Sequence, residues 1–418
     1  MPDRSILRLL LLAALVVALA TGGCRNDRDS VPDSGGTRAS GGARPAPPIS
    51  GLVAYSALVS PEEYTYDGGR FDLFLERIPS GQIERLTDHQ AARGGKLGGA
   101  VRDPVFSPDG KYVLFLSDYA DSPSDVRQTT TGAAPNQDAF LNIWAFELKT
   151  RSVTPITNAE FGCCLVRCSP DGRKVCAVQH TALRSFDGAY PPDEIRVWDV
   201  PGGRGRTLAT LSEGVGNIFW SRDGSRVYYE IWDSGDLYSV AIAGGKARLV
   251  LQGREGRFSY SFSPDWSRVA YVDVDRVIVA QASGARPETV IRLDRHEHSP
   301  DWPMPRWSPD GRMLAVYESV HAEQGHVTKL HVYSFPDKAD RIIADWPHPL
   351  TDLTWSKDGC WLIATIMRAG ESDAPDPTTG WHTWRRDGLT AVRATGGRTY
   401  TLAAPDKETK GIAWLETR

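Results

Sequence analysis

The sequence is short of the features that mark a helical or nucleic-acid-binding protein. Its 418 residues contain only 4 Met and carry a net charge of −4, and no long helical pattern follows residue 25. Because neither sign of charge dominates, the composition does not favour a nucleic-acid partner. The chain is instead rich in Gly (40), Pro (28) and Trp (13), which is typical of short strands joined by tight turns. We therefore expect an all-β protein that binds no nucleic acid.

The N-terminal segment differs from the rest of the chain. Arg4 precedes an apolar run, Leu9–Ala20, which is too short for a mature transmembrane helix but suits a signal peptide. Small residues then lead directly into Cys24. This arrangement resembles a bacterial lipobox, although Thr21 stands where that motif usually has Leu. The resemblance implies a lipoprotein signal peptide over 1–23 and acylation of Cys24, with an ordinary signal peptide as the alternative.

Residues 24–50 are polar and small, with almost no large apolar side chain. Such a segment buries too little surface to offset its ordering entropy, so we predict a flexible tether. Arg25 follows Cys24, where retention of lipoproteins at the inner membrane usually calls for Asp. We therefore expect an exported protein that meets the membrane only through its lipid anchor. In a Gram-negative cell it would lie on the periplasmic side of the outer membrane.

One short pattern recurs six times in the remainder of the chain. An aromatic residue or Cys is followed by Ser-Pro-Asp-Gly or a close variant, at Phe106–Gly110, Cys168–Gly172, Trp220–Gly224, Phe262–Trp266, Trp307–Gly311 and Trp355–Gly359. The Ser residues are separated by 62, 52, 42, 45 and 48 positions, the period of a four-stranded propeller blade. Pro, Asp and Gly each suit a hairpin turn. Trp266 replaces Gly in one copy, and we expect a distorted turn there, because a positive φ costs a bulky residue about 1–2 kcal/mol.

The repeat resembles the TolB-type, WD40-like (PD40) propeller repeat, and the resemblance covers residues 51–418. It implies one β-propeller domain with a four-stranded blade for each of the six turns. Further strand-like segments lie before the first turn and at the end of the chain, at Leu52–Ala57, Phe71–Ile78, Ile83–Thr87 and Gly411–Glu416. Pairing of the N- and C-terminal strands would complete a seventh blade and protect the open edges of the ring. We predict seven blades, with six as the alternative.

The predicted binding surface is the mouth of the central channel, where loops lead from one outer strand to the next inner strand. The candidate residues in these loops are Asp88, His89, Arg257, His296, His298, Asp301, Trp302 and His348. His296 and His298 could join Asp301, Asp88 or His89 around a cation, since imidazole and carboxylate are suitable ligands. Water-exposed loop side chains are the simpler interpretation. Whether a metal binds is left open, and no other cofactor is predicted.

Four of the six cysteines fall within one predicted blade: Cys163, Cys164, Cys168 and Cys176. Cys168 and Cys176 flank the second turn symmetrically and could face each other across its hairpin. Export would make a disulfide between them plausible. Other pairings among the four, and a structural zinc site, are the alternatives.

The motifs for catalysis are missing from the sequence. It has no Gly-x-Ser-x-Gly nucleophile elbow and no Gly-rich phosphate-binding loop. We therefore expect a non-catalytic scaffold that acts as a monomer and binds a protein or peptide of the cell envelope. The TolB resemblance implies partners such as a peptidoglycan-associated lipoprotein. The alternative is a metal-dependent carbohydrate-active enzyme or sugar-binding propeller, because some polysaccharide lyases use similar propellers and Trp side chains can stack on sugars.

Overall fold

The computed structural model describes the chain in twelve stretches. These are residues 49–60, 70–88, 100–118, 141–182, 192–253, 257–294, 303–322, 325–347, 350–369, 384–397, 399–403 and 411–417. All of them belong to one compact unit, Ala46–Arg418. Within these stretches the secondary structure consists of strands and turns, with no helix.

Twenty-eight strands form seven four-stranded antiparallel sheets, which are the blades of a ring. The closing blade contains β1 (Gly51–Ser60), β2 (Arg70–Ile78), β3 (Gln82–Arg85) and the last strand of the chain, β28 (Ile412–Glu416). Blade 1 contains β4 (Val101–Phe106), β5 (Tyr112–Ser117), β6 (Asn142–Glu147) and β7 (Val153–Pro155). Blade 2 contains β8 (Cys163–Cys168), β9 (Lys174–His180), β10 (Asp193–Asp199) and β11 (Arg206–Leu211).

The other four blades repeat the same arrangement. Blade 3 contains β12 (Val215–Trp220), β13 (Arg226–Ile231), β14 (Leu237–Ala241) and β15 (Arg248–Leu251). Blade 4 contains β16 (Arg257–Phe262), β17 (Arg268–Asp273), β18 (Arg276–Gln281) and β19 (Glu288–Arg292). Blade 5 contains β20 (Arg306–Trp307), β21 (Met313–Ala322), β22 (Gly325–Ser334) and β23 (Ala339–Trp346). Blade 6 contains β24 (Leu350–Trp355), β25 (Trp361–Ala369), β26 (Trp384–Arg393) and β27 (Thr399–Ala403).

The prediction of seven blades closed by both ends of the chain is confirmed. In the closing blade β28 pairs antiparallel with β1, so that Gly51 lies opposite Glu416 and Tyr55 opposite Ile412. Gly51 has no room for a side chain, because a Cβ atom there would lie 2.4 Å from the Trp414 ring. β28 is also tied to blade 6, where the Lys357 N–H donates to Glu416 Oε2 at 2.5 Å. The last strand therefore joins the first strand and the sixth blade.

All six repeated turns share one hydrogen-bond pattern. The Ser Oγ donates to the Asp Oδ1 two residues later at 2.5–2.7 Å. The same Oγ accepts the N–H of the residue five positions after the Ser, at 2.9–3.0 Å. These bonds from Ser hold the pKa of Asp223 and of Asp265 at about 2. The motif thus joins the innermost strand of a blade to the second strand through its Ser and Asp side chains as well as its backbone.

The turn at Trp266 is not distorted, contrary to our expectation. Trp266 adopts a φ of 61°, close to the 68–72° of Gly in the other five turns, and its N–H donates to the Ser263 carbonyl at 2.8 Å. Its ring stacks on Phe262 with centroids 4.4 Å apart and lies 5.0 Å from the ring of Tyr228. These aromatic contacts offset the cost of the positive φ.

Tryptophan side chains of the repeat connect neighbouring blades. The indole N–H of Trp220 donates to the Arg167 carbonyl at 2.9 Å, and that of Trp355 donates to the Arg306 carbonyl at 2.8 Å. Trp307 donates in the same way to Ser261 at 3.0 Å. In each case the acceptor lies two positions before the turn Ser of the preceding blade. In these three blades the Trp of the motif therefore fixes the spacing of adjacent inner strands.

The hydrophobic core lies between blades. One cluster joins Leu114 and Ile143 of blade 1 to Val175 and Ala177 of blade 2, and all four side chains are almost fully buried. Equivalent clusters lie around the ring. Burial of each large aliphatic side chain contributes about 1.5–3 kcal/mol, so packing between blades holds the ring together.

Cys168 and Cys176 are free thiols in the structure, so the bridge predicted between them is absent. The strand register gives the reason. Cys168 pairs with Val175, whereas Cys176 pairs with Arg167. Because opposed residues of antiparallel strands point to the same face, Cys168 and Cys176 lie on opposite faces of blade 2 and contact different core clusters. Burial raises the pKa of the Cys163 and Cys168 thiols to about 12, as expected of inert packing residues.

Candidate functional site: the central channel

The inner strands of all seven blades surround a central cavity of about 630 Å³. Its walls carry apolar and aromatic side chains with a few polar groups among them. This is the usual composition of a ligand-binding cavity. We therefore take the channel as the candidate functional site.

One position of the repeat lines the channel in every turn-marked blade. It lies two residues before the turn Ser, and its occupants are Val105, Arg167, Phe219, Ser261, Arg306 and Thr354. The indole bonds described above hold three of these residues, Arg167, Ser261 and Arg306, by their carbonyl groups. The motif that builds the fold thus also orients this ring, which we call the channel ring. It includes two arginines, one from blade 2 and one from blade 5.

Arg167 is held by the protein around it. Its Nη1 donates to the Val166 carbonyl at 2.9 Å, and its Nη2 donates to Asn217 Oδ1 of blade 3 at 3.3 Å. Burial lowers the pKa of this guanidinium, and the positive charge of Arg306 acts in the same direction while Asp352 opposes it. Because Arg stays charged in proteins, the channel contains two guanidiniums, of which that of Arg306 forms an ion pair with Asp352.

Arg306 bridges blades 5 and 6. Its Nε donates to the Leu353 carbonyl at 2.9 Å and its Nη2 to Asp352 Oδ1 at 2.9 Å. Asp352 also accepts the N–H of Leu353 at 2.8 Å. Such charge-assisted bonds fix the guanidinium plane and leave a defined polar surface in an otherwise largely apolar wall.

The channel end opposite the repeated turns contains strained backbone. Asp103, Leu165 and Ser259 have φ values of 46°, 53° and 60°. Each lies four residues before a turn Ser, within a β-bulge of the inner strand. Bulges and strained residues concentrate near functional sites, where they redirect side chains. This end, which we call the loop end, is therefore the more specialised end of the channel.

Buried ionisable groups also lie toward the loop end of several blades. In blade 2, His180 Nδ1 lies 2.9 Å from Asp193 Oδ1. In blade 3, the buried Glu230 accepts the N–H of Ser259 at 3.1 Å. Burial raises the pKa of Glu230 to about 7, although hydrogen bonds from the backbone oppose the shift.

Blade 5 contains a chain of charged side chains that runs from its outer strand toward the loop end. His331 Nδ1 lies 2.8 Å from Asp340 Oδ2, and its Nε2 lies 3.1 Å from Glu318 Oε1. Lys329 Nζ lies 3.7 Å from Glu318 Oε1 and 3.0 Å from Asp294 Oδ2. Burial alone would lower the pKa of His331, but the bonds and charges of Asp340 and Glu318 outweigh it and raise that pKa to about 9.

The structure describes little of the site predicted at the channel mouth. Asp88 is exposed, and its Oδ1 lies 3.2 Å from Arg85 Nη2. Arg257 begins β16, but its side chain lies outside the described part of the chain. The remaining predicted residues, and the lipidation site, lie outside it entirely: His89, His296, His298, Asp301, Trp302, His348 and Cys24. The mouth site and the lipidation of Cys24 therefore stay predictions.

Sequence reasoning missed the channel ring, although its signal was present in the repeat. Once the six turns are aligned, counting back two positions from each Ser gives the ring directly. For metal binding, the described residues contain no group of three or more His, Cys, Asp or Glu side chains placed to hold an ion.

Comparisons with other sequences give partial matches. No protein-family model matches the chain. It is 26% identical over 246 residues to the uncharacterized peptidase YuxL of Bacillus subtilis, a match that covers 56% of this chain and 31% of that protein. It is 30% identical over 210 residues to the uncharacterized protein Atu1656 of Agrobacterium fabrum, covering 48% of this chain and 59% of that protein. The chain thus spans less than two thirds of the length of either relative.

Solved structures of similar fold have several activities. A prolyl endopeptidase has a TM-score of 0.54 at 13% identity and covers 85% of this chain and 50% of its own. An oligogalacturonate lyase in complex with manganese has a TM-score of 0.51 at 13% identity. That match covers 86% of this chain and 87% of the lyase. TolB from Acinetobacter baumannii is also among the matches, with a TM-score of 0.43 at 14% identity and coverage of 87% and 66%. None of the described residues forms a helix long and apolar enough to span a membrane. The likeness to the prolyl endopeptidase and the oligogalacturonate lyase supports the β-propeller fold alone, and the activity has to be argued from the chain's own residues.

Proposed function

We propose that this protein is a non-catalytic binding propeller that holds a segment of a protein or peptide partner in its central channel. The observation that carries the proposal is the channel ring. It places Arg167 and Arg306 in a cavity of about 630 Å³ that is otherwise lined mainly by neutral side chains. A rigid cavity with few oriented polar groups favours recognition of a matching segment.

The two guanidiniums indicate the chemistry of that segment. Each is already oriented by protein acceptors, so an incoming acidic group would meet a preformed site. Planar guanidinium groups bind carboxylates in a bidentate manner. We therefore expect a partner segment that carries Asp, Glu or a C-terminal carboxylate into the channel.

Recovery of partners from a cell-envelope extract tests this proposal. The full-length tagged protein in detergent should recover a reproducible protein partner, and the double variant Arg167→Gln/Arg306→Gln should recover at least tenfold less. Arg248→Gln is the matched control, since Arg248 is exposed on the outer strand of blade 3. Thermal unfolding checks that all variants are folded. The proposal fails if no protein partner is recovered, or if the double variant performs as well as the wild type.

The same purified protein tests the carbohydrate-active alternative. That alternative rests on His296 and His298, which lie outside the described residues. Stoichiometric bound metal together with metal-dependent cleavage of a polysaccharide would favour the alternative over the binding scaffold. Loss of the metal in His296→Ala would then identify the site.

We also propose that the propeller acts at the cell envelope, tethered by residues 24–50 to an acylated Cys24. The support is the sequence of the first 50 residues, in which an apolar run, small residues and a Cys precede a polar segment. Mass spectrometry of the mature N-terminus should find a diacylglycerol-modified Cys24. Cys24→Ala should release the protein from the membrane fraction. An unmodified N-terminus beyond residue 24 would exclude the anchor.

A further inference from the structure

A second, smaller cavity of about 80 Å³ lies beside the channel between blades 3 and 4. Asn217 and Met304 line both cavities, so the smaller one forms a side pocket of the channel at its loop end. Trp232 and Phe258 form its apolar wall together with Met304. The Trp232 side chain is unusually accessible for its size, with 55% of its surface exposed.

Glu230 is the ionisable residue of this pocket. It is 5% exposed and lies between Asn217 on β12 and Leu237 on β14. None of the other described residues that line the pocket is charged. The Ser259 N–H that donates to Glu230 Oε1 comes from a residue with φ of 60°. A strained backbone at this position is consistent with a group held for binding.

The electrostatics of the pocket favour a cationic occupant. A buried carboxylate without a counter-ion is costly, and burial has already raised the pKa of Glu230 to about 7. Aromatic faces attract ammonium groups, and a Met side chain adapts to alkyl groups of different shape. A divalent cation would need several oxygen ligands, whereas this pocket offers one carboxylate.

We propose that the side pocket binds a primary alkylammonium group, of the kind that a lysine side chain carries. Glu230 is its counter-ion, and Trp232, Phe258 and Met304 surround its alkyl chain. A partner in the channel is one source of such a group. The site itself does not depend on the function proposed above, because a free alkylamine is enough to occupy it.

The first test compares two small probes on the full-length protein in detergent at pH 8, where Glu230 is ionised. n-Butylammonium chloride should bind saturably in the millimolar range, as measured by calorimetry and by the fluorescence of Trp232 against a Trp232→Phe reference. The neutral analogue n-pentanol should bind at least tenfold more weakly. Equal affinity for the two probes would overturn the proposal without any variant of Glu230.

The second test uses variants. Glu230→Gln should abolish the preference for the ammonium, while Glu76→Gln should keep it. Glu76 is a matched control, because it is also a buried Glu with a raised pKa but lies on β2 of the closing blade. Unchanged n-butylammonium affinity in a folded Glu230→Gln protein would overturn the proposal. The envelope-partner experiment uses Arg167 and Arg306, so failure of one proposal is distinguishable from failure of the other.

Discussion

The turn end and the loop end of the blades differ in how uniform their side-chain interactions are. At the turn end, six copies of one motif make the same side-chain hydrogen bonds to within 0.2 Å. Toward the loop end of the same hairpins the blades differ, with a His–Asp pair in blade 2, an isolated Glu in blade 3 and a charged chain in blade 5. Uniform bonds at one end specify the ring, and the differences at the other end give each blade its own chemistry.

The largest expected effect on stability comes from removing a motif Ser at the turn end. Ser308→Ala removes a fully buried hydroxyl that donates to Asp310 and accepts the Met313 N–H. Because a buried N–H then lacks its partner, we expect a loss of about 2–3 kcal/mol in the free energy of unfolding, measured by urea denaturation. Ser267→Ala is the control, since its hydroxyl is exposed and bonds only to Asp265. Equal losses in both variants would contradict a structural role for the motif Ser.

The next effect is a pH dependence from the charged chain of blade 5. The pKa of His331 is raised from 6.5 to about 9 in the folded protein, so the folded state binds this proton more tightly than the unfolded state. Its contribution is complete below about pH 6.5 and is lost as the pH rises through 9. We expect wild-type stability to fall by about 1–3 kcal/mol across this window. In His331→Gln that slope should be smaller, and an unchanged slope would show that other groups cause it.

At the loop end of blade 3, replacing the ionisable Glu230 by a neutral residue should raise the stability, whereas replacing His331 should lower it. Because burial raises the pKa of Glu230 from 4.5 to about 7, the folded state favours the neutral acid and loses stability as the pH rises between these values. Glu230→Gln should therefore match the wild type near pH 4.5 and exceed it by about 1–3 kcal/mol at pH 8. Thermal unfolding at both pH values measures this. A variant less stable than the wild type at pH 8 would mean that the charged form is stabilised by the fold.

The smallest net effect concerns the turn at Trp266, the one of the six whose last position is not Gly. Trp266→Gly relieves a positive φ that costs about 1–2 kcal/mol but removes the contacts with Phe262 and Tyr228, worth about 0.5–1.5 kcal/mol each. We expect a net change below about 1 kcal/mol. Trp266→Ala loses the same contacts and keeps the strain, so it should be less stable than the Gly variant. If the two variants are equally stable, strain is not stored at this position.

The turn end was predictable from sequence because its interactions are local. The Ser and Asp side chains of each turn bond to partners within five residues, so the motif and its period were enough to predict six blades, and strand-like segments at the two ends of the chain predicted the seventh. The register of the paired strands was harder to predict from the sequence. The symmetric spacing of Cys168 and Cys176 suggested that they face each other, but an offset of one residue in pairing placed them on opposite faces.

The loop end was much less predictable. The partner of Glu230 is the Ser259 N–H on the next blade, and the charged chain of blade 5 combines residues from four separate strands and loops. Such contacts depend on how blades are placed side by side, which no local pattern encodes. The channel ring was predictable in part. Its positions follow from the repeat, but only the structure shows that they face one cavity.

The closure of the ring has a consequence for the order of folding. Every strand pair within a blade joins two consecutive strands of the chain except β28 with β1, next to which Ser50 Oγ donates to the Thr417 carbonyl 367 positions away. Loop-closure entropy opposes such distant contacts until the intervening chain is ordered. We therefore expect the seam between these two strands to form last during folding and to be the first place where the ring opens under mechanical load.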